Sequence, residues 1–145
     1  MPVSPQKFRE LVFQLLYSFD IAESQKEDMV AFMKEQHAVT SKTFFLAFDR
    51  MKRVVEKKRE IDRLIAQTSK SYEFNRIPKT EKNILRVALF ELCYDDQIPP
   101  KVAIAEAIRM SRKFATPESA LFINAILDVL YKERLLKEEL NVGKI

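Results

Sequence analysis

Glycine occurs once in the 145 residues, as Gly143 near the C-terminus. Tight strand-to-strand turns need positive φ and lean on Gly or Asn, so a β-rich fold is not expected. The same scarcity removes the glycine-rich loops that let a backbone approach phosphate. Nucleotide enzymes built on the Walker or dinucleotide loop are therefore excluded. The remaining composition favours a packed core, because 47% of the residues are hydrophobic and eleven are Phe. That apolar surface can offset the conformational entropy lost on folding. The length suits a single hydrophobic core. The expected fold is an all-α, single-domain helical bundle spanning 1–145.

Helix signals recur along the chain. Ser4 followed by Pro5 reads as a cap and first helical residue, and Phe8, Leu11, Val12, Leu15, Leu16 and Phe19 follow at helical spacing. Met29, Val30, Phe32 and Met33 mark a shorter second helix. Thr40 or Ser41 opens a long third helix whose apolar arc holds Phe44, Phe48, Met51, Val54, Val55, Ile61 and Ile65. Lys58 falls inside that arc. Either the helix passes its neighbours there or the Lys58 ammonium snorkels to water. Residues 69–79 read as a connector with anchors Tyr72, Phe74 and Ile77. The run Ile84, Leu85, Val87, Ala88, Leu89, Leu92 and Cys93 is apolar on most of its circumference and marks a central, buried helix. Asp95 and Asp96 with Pro99 and Pro100 end it, since proline lacks the helix donor and restricts the residue before it. The next helix starts near Lys101 with a stripe of Val102, Ala103, Ile104, Ala107, Ile108 and Phe114. Thr116, Pro117 and Glu118 then open a last helix carrying Leu121, Phe122, Ile123, Ile126, Leu127 and Leu130.

Catalytic chemistry finds little to work with. His37 and Cys93 are the only residues of their types, sit in different helical segments and have no partner at metal spacing. No catalytic, cofactor or metal residue is assigned. Cys93 lies in an apolar run and reads as a small buried hydrophobe, which suits a reducing cytosol. Asp95 and Asp96 read as a helix terminus, and Asn124 with Asp128 as a local polar pair one turn apart. The net charge of +4 permits a polyanionic partner without demanding one. Lys52, Arg59 and Arg63 fall within about 40° of one another on the third helix, either as a solvated face or as a contact stripe. No apolar run approaches the roughly 18 residues of a membrane span, and the N-terminus lacks a signal core. The expectation is a cytoplasmic protein that acts by binding macromolecules.

Two motifs go further. Tyr72-Glu73-Phe74-Asn75-Arg76-Ile77 followed by Glu81-Lys82-Asn83-Ile84-Leu85-Arg86-Val87-Ala88-Leu89-Phe90-Glu91-Leu92 resembles the central signature of the NusB family. Ile98-Pro99-Pro100-Lys101-Val102-Ala103-Ile104-Ala105-Glu106-Ala107-Ile108, then Lys113-Phe114 and Phe122-Ile123-Asn124-Ala125-Ile126-Leu127-Asp128, is similar to its second signature. Arg9-Glu10 through Gln14, Leu16, Tyr17 and Ser18 resembles its opening helix.

The resemblance implies a bundle of about seven helices and a role in processive transcription antitermination, notably of ribosomal RNA operons. It implies binding to boxA RNA together with NusE, a small-subunit ribosomal protein, and indirect action on RNA polymerase with other Nus factors. By the same resemblance, Lys7, Arg9, Glu118, Ser119 and Phe122 face RNA and Glu81 faces NusE. Phe122 fits both a base-stacking face and the core stripe, and Glu81 also suits a first-turn dipole partner. Where family members often carry several arginines, this chain reads Ser4-Pro5-Gln6-Lys7-Phe8 with a single cation. Fewer phosphate contacts lower affinity and flatten its salt dependence. The alternative is a helical adaptor between proteins, or a homodimer, with little RNA affinity.

Overall fold

The computed structural model describes the backbone of residues 3–22 and 39–142 and the side chains of 3–20 and 39–134. Six α-helices and one short 3-10 turn make up the regular structure there, with no strand among the described residues. The helices are α1 (Pro5–Ala22), α2 (Ser41–Glu56), α3 (Lys58–Thr68), α4 (Lys79–Tyr94), α5 (Pro100–Phe114) and α6 (Pro117–Val142). The second helix expected around Met29–Met33, His37 and Gly143 lie outside the described residues. The chain divides into two compact units, Met1–Arg59 and Glu60–Ile145.

In the first unit, α1 packs on α2. The Ser4 hydroxyl accepts from the Lys7 backbone N–H at 3.1 Å, which caps α1 ahead of Pro5. Thr40 does the same for α2 through the Thr43 N–H at 3.2 Å. The apolar faces meet through Leu11, Val12, Leu15, Leu16, Phe44, Ala47, Phe48 and Met51, all buried. Phe48 lies between Phe19 and Phe44, with ring centroids 6.1 and 6.3 Å away. Full burial of each such side chain contributes about 1.5–3 kcal/mol.

The single long helix expected from Ser41 to Ile65 is two helices. α2 stops at Glu56, and Lys57, at φ −100° and ψ 4°, donates its N–H to the carbonyls of Val54 and Val55. Lys58 opens α3 and lies 3.9 Å from Asp20. The misfit of Lys58 with the apolar arc marks this break, because helical phase does not carry across Lys57. Lys52 is therefore on α2 and Arg59 and Arg63 on α3, not on one helix. Val55, placed in the arc by periodicity, is exposed in the last turn of α2.

In the second unit, α4 packs on α5 and α6, and α5 packs on α6. α4 is buried from Asn83 to Leu92 without interruption, as its apolar circumference requires. It nonetheless contains four buried polar side chains: Glu81, Asn83, Arg86 and Glu91. Arg86 is held by Asp62 of α3 through Nε–Oδ1 at 2.8 Å and Nη2–Oδ2 at 2.9 Å. Its Nη1 also donates to Asn83 Oδ1 at 3.0 Å. This bidentate pairing offsets the cost of burying a guanidinium.

α4 ends at Tyr94 where Asp95 turns the chain, its carboxylate accepting from the Gln97 N–H at 2.9 Å. Pro99 in extended conformation leads into α5, which starts at Pro100. The buried stripe of α5 is Ala103, Glu106, Ala107, Met110 and Ser111. Val102 lies about 100° off that stripe and is exposed. Cys93, expected to be buried, is only half-buried.

Candidate nucleic-acid interface

The residues implied for RNA and partner contact gather in two places. Glu118, Ser119 and Phe122 lie in the first two turns of α6 and Glu81 in the first turn of α4, all in the second unit. Lys7 and Arg9 lie in the first two turns of α1, in the first unit.

Thr116 sets the start of α6. Its hydroxyl oxygen accepts from the Ser119 N–H at 3.1 Å, and Pro117 follows as a pre-shaped first residue. The two hydroxyls of Thr116 and Ser119 lie 3.0 Å apart, and Ser119 Oγ donates to Glu81 Oε1 at 2.5 Å. Because the Ser119 proton points at the carboxylate, the Thr116 hydroxyl supplies the proton between the two. The result is a relay from Thr116 through Ser119 to Glu81 that ties the first turn of α6 to that of α4. Glu81 is only 7% exposed, and its Oε2 is buried without a hydrogen-bond partner among the described residues.

Outward from this tie stand Glu118, exposed in the first turn, and Leu121, 73% exposed. Leu121 had been placed in the core stripe by spacing. The stripe instead runs through Ala120, Ile123, Ile126, Leu127 and Leu130, centred about 160° away on the opposite face of the helix. Phe122 is half-buried and meets Tyr72 edge to face, with centroids 5.3 Å apart. Tyr72, read as a core anchor, is 51% exposed, whereas Ile77 is the buried anchor of the connector. The connector is held by Ser69 Oγ donating to the Tyr72 carbonyl at 2.7 Å. Phe74, half-buried, carries the Lys82 ammonium 4.4 Å from its ring centroid. Beside Phe122 a cleft of about 370 Å³ opens between α3 and α6, lined by Leu64, Gln67, Lys70, Phe122, Ile126 and Leu130 among others.

On α1, Lys7 is half-exposed. Arg9 is buried, at 9% exposed. Burial pushes the Cys93 thiol above its ordinary value, opposed in part by the Arg134 charge, so it stays protonated and a poor nucleophile at neutral pH. Among the described residues no cluster of three or more His, Cys, Asp or Glu could hold a metal, and no helix is long and apolar enough to cross a membrane.

The NusB family model matches residues 6–132 of this chain. The chain belongs to the NusB family. The transcription antitermination protein NusB of Chlamydia pneumoniae is 38% identical over 133 residues, which cover 92% of this chain and 83% of that one. The solved NusB of T. maritima superposes with a TM-score of 0.77 at 27% identity, covering 92% of this chain and 94% of that structure. A crystal structure of the antitermination factors NusB and NusE in complex with double-stranded RNA shares the fold, at TM-score 0.76 and 21% identity, covering 88% of this chain and 96% of that one. The NusB match takes in α1 through most of α6, so every residue singled out for RNA or partner contact lies inside it.

Reasoning from sequence missed three features of this NusB surface: the exposure of Tyr72, the exposure of Leu121, and the Ser119–Glu81 bond. The first had a signal. Tyr72 sits in a connector rich in polar residues, where no helical period demands burial. The bond had none, because its partners lie 38 residues apart.

Proposed function

We propose that this chain is a transcription antitermination factor that binds boxA RNA of ribosomal RNA operon transcripts together with NusE, and through that pair acts on RNA polymerase with the other Nus factors. The observation that carries this reading is the family match across residues 6–132. It is supported by relatives named as transcription antitermination proteins and by a protein of the same fold solved with NusE and RNA. In this reading the protein works by positioning partners in the cytoplasm, and no residue has a catalytic, cofactor or metal role.

The geometry divides the work by chemistry. Lys7 supplies a cation for phosphate, with Arg9 behind it. Phe122, with Tyr72 against its edge, offers part of an aromatic face to an unstacked base. A carboxylate cannot hold phosphate, so Glu118 faces the exocyclic amino group of a base, as acidic side chains do when they read cytosine. Ser119 orients the turn that carries both. NusE approaches the start of α4, where Glu81 lies.

The test is fluorescence anisotropy of labelled boxA RNA with the full chain, with and without NusE, across a salt series. Binding that NusE strengthens, and that boxA supports better than a scrambled RNA, is the expected outcome. Lys7→Gln should flatten the slope of log affinity against log salt by about 0.7, the contribution of one phosphate on a single strand. Salt-independent binding, or none in either condition, contradicts the reading.

A second reading, an adaptor or homodimer with little RNA affinity, is favoured by the burial of Arg9 and by Phe45 and Leu46, adjacent on α2 and each 56% exposed. A dimer by light scattering, combined with absent RNA binding, would select it.

A further inference from the structure

We propose that Glu81 is a positioning residue for the RNA face: its carboxylate fixes the Ser119 hydroxyl and thereby sets the first two turns of α6, on which Glu118 and Phe122 are displayed. The inference rests on the functional reading above and assigns to Glu81 a task that a partner-facing acid would not have. A docking carboxylate for a basic protein needs at least one oxygen free at the surface. Here Glu81 is 7% exposed, one oxygen accepts from Ser119 at 2.5 Å, and the other is buried.

The bond belongs to the short class that a hydroxyl forms with a charged carboxylate, which is stronger than a neutral pair and directional. It is also connected. Ser119 receives the Thr116 hydroxyl at 3.0 Å while its own N–H reaches Thr116 at 3.1 Å, so the cap of α6 and the Glu81 contact share one side chain. Glu81 is itself placed in the first turn of α4, whose amide dipoles favour a negative charge there. Loss of the carboxylate would deprive the Ser119 hydroxyl of its charged acceptor on α4 and release the register of α6 relative to α4. Glu118 precedes Ser119 and Phe122 follows it by three residues, so both would lose their placement together.

The experiment is a double-mutant cycle on the full chain, reading affinity for labelled boxA RNA in the absence of NusE. Ser119→Ala and Glu81→Ala are each expected to weaken RNA binding about tenfold, the scale of one charged hydrogen bond. The double variant should be no weaker than either, because the two residues act as one unit. Glu81→Gln, which keeps an acceptor but not the charge, should hold RNA affinity within about threefold of the parent. Circular dichroism and the thermal midpoint of each variant establish that it is folded. An effect of Glu81→Ala confined to NusE binding, with RNA affinity unchanged, overturns the proposal and leaves the antitermination reading standing. So does strict additivity of the two substitutions. Failure of the parent chain to bind any RNA, with NusE or without it, overturns both.

Discussion

Arg86 shows how a single residue can carry a cost that composition hides. Its side chain is 5% exposed, and it lies within a helix that is otherwise mostly apolar. Asp62 makes it tolerable by accepting two parallel hydrogen bonds. Removing the acid takes both carboxylate bonds from a buried guanidinium, which keeps its Nη1 bond to Asn83 Oδ1 at 3.0 Å. Asp62→Ala is therefore expected to destabilise the fold by about 3 kcal/mol, at the lower end of the range for breaking a buried pair because Asp62 is partly exposed. A urea melt would show this as a lower midpoint with an unchanged slope. A loss under about 0.5 kcal/mol would mean that water solvates Arg86 and that the pair is a surface contact. Nothing in the local pattern announced the pair, since helical periodicity reports neighbours three or four residues away and Asp62 precedes Arg86 by 24.

Elements were far more legible than pairs. Ser4, Thr40 and Thr116 cap helices through contacts three residues ahead, a spacing that can be read directly from a sequence. Pro5, Pro100 and Pro117 mark starts for the same local reason, and Asp95 with Pro99 marks an end. The interruption at Lys57 was harder to see, because Glu56-Lys57-Lys58-Arg59 contains no Gly or Pro and every residue in it favours a helix. Its only trace was Lys58, a charge in an apolar arc. The caps also separate stability from function. Thr40→Ala and Thr116→Ala should each cost about 1 kcal/mol of stability. Only Thr116→Ala should also weaken RNA binding, because Ser119 loses its hydroxyl partner as well as its cap. Equal RNA affinity for the two variants, measured by anisotropy, would sever the α6 start from the binding surface.

For the whole molecule, fold and function class were legible while the surface was not. Glycine scarcity, helical periodicity and two motifs in order were enough for an all-α member of the NusB family, and residues 6–132 match it. The exposed surface escaped because solvent imposes no period: Tyr72, Leu121, Val55 and Val102 are apolar residues whose burial depended on a phase that neighbouring elements set. We also propose that residues 1–145 fold as a single domain. The boundary between the two compact units, after Arg59, falls in the first turn of α3 and in no linker. The account's central claim concerns transcription, and a reconstituted assay meets it most directly. Purified RNA polymerase, NusE and the remaining Nus factors would transcribe a template bearing boxA ahead of a terminator, with this chain added or withheld. The account predicts that adding the chain raises terminator read-through on the boxA template and not on one with boxA scrambled. Read-through that is unchanged by the chain, or raised equally on both templates, would contradict it.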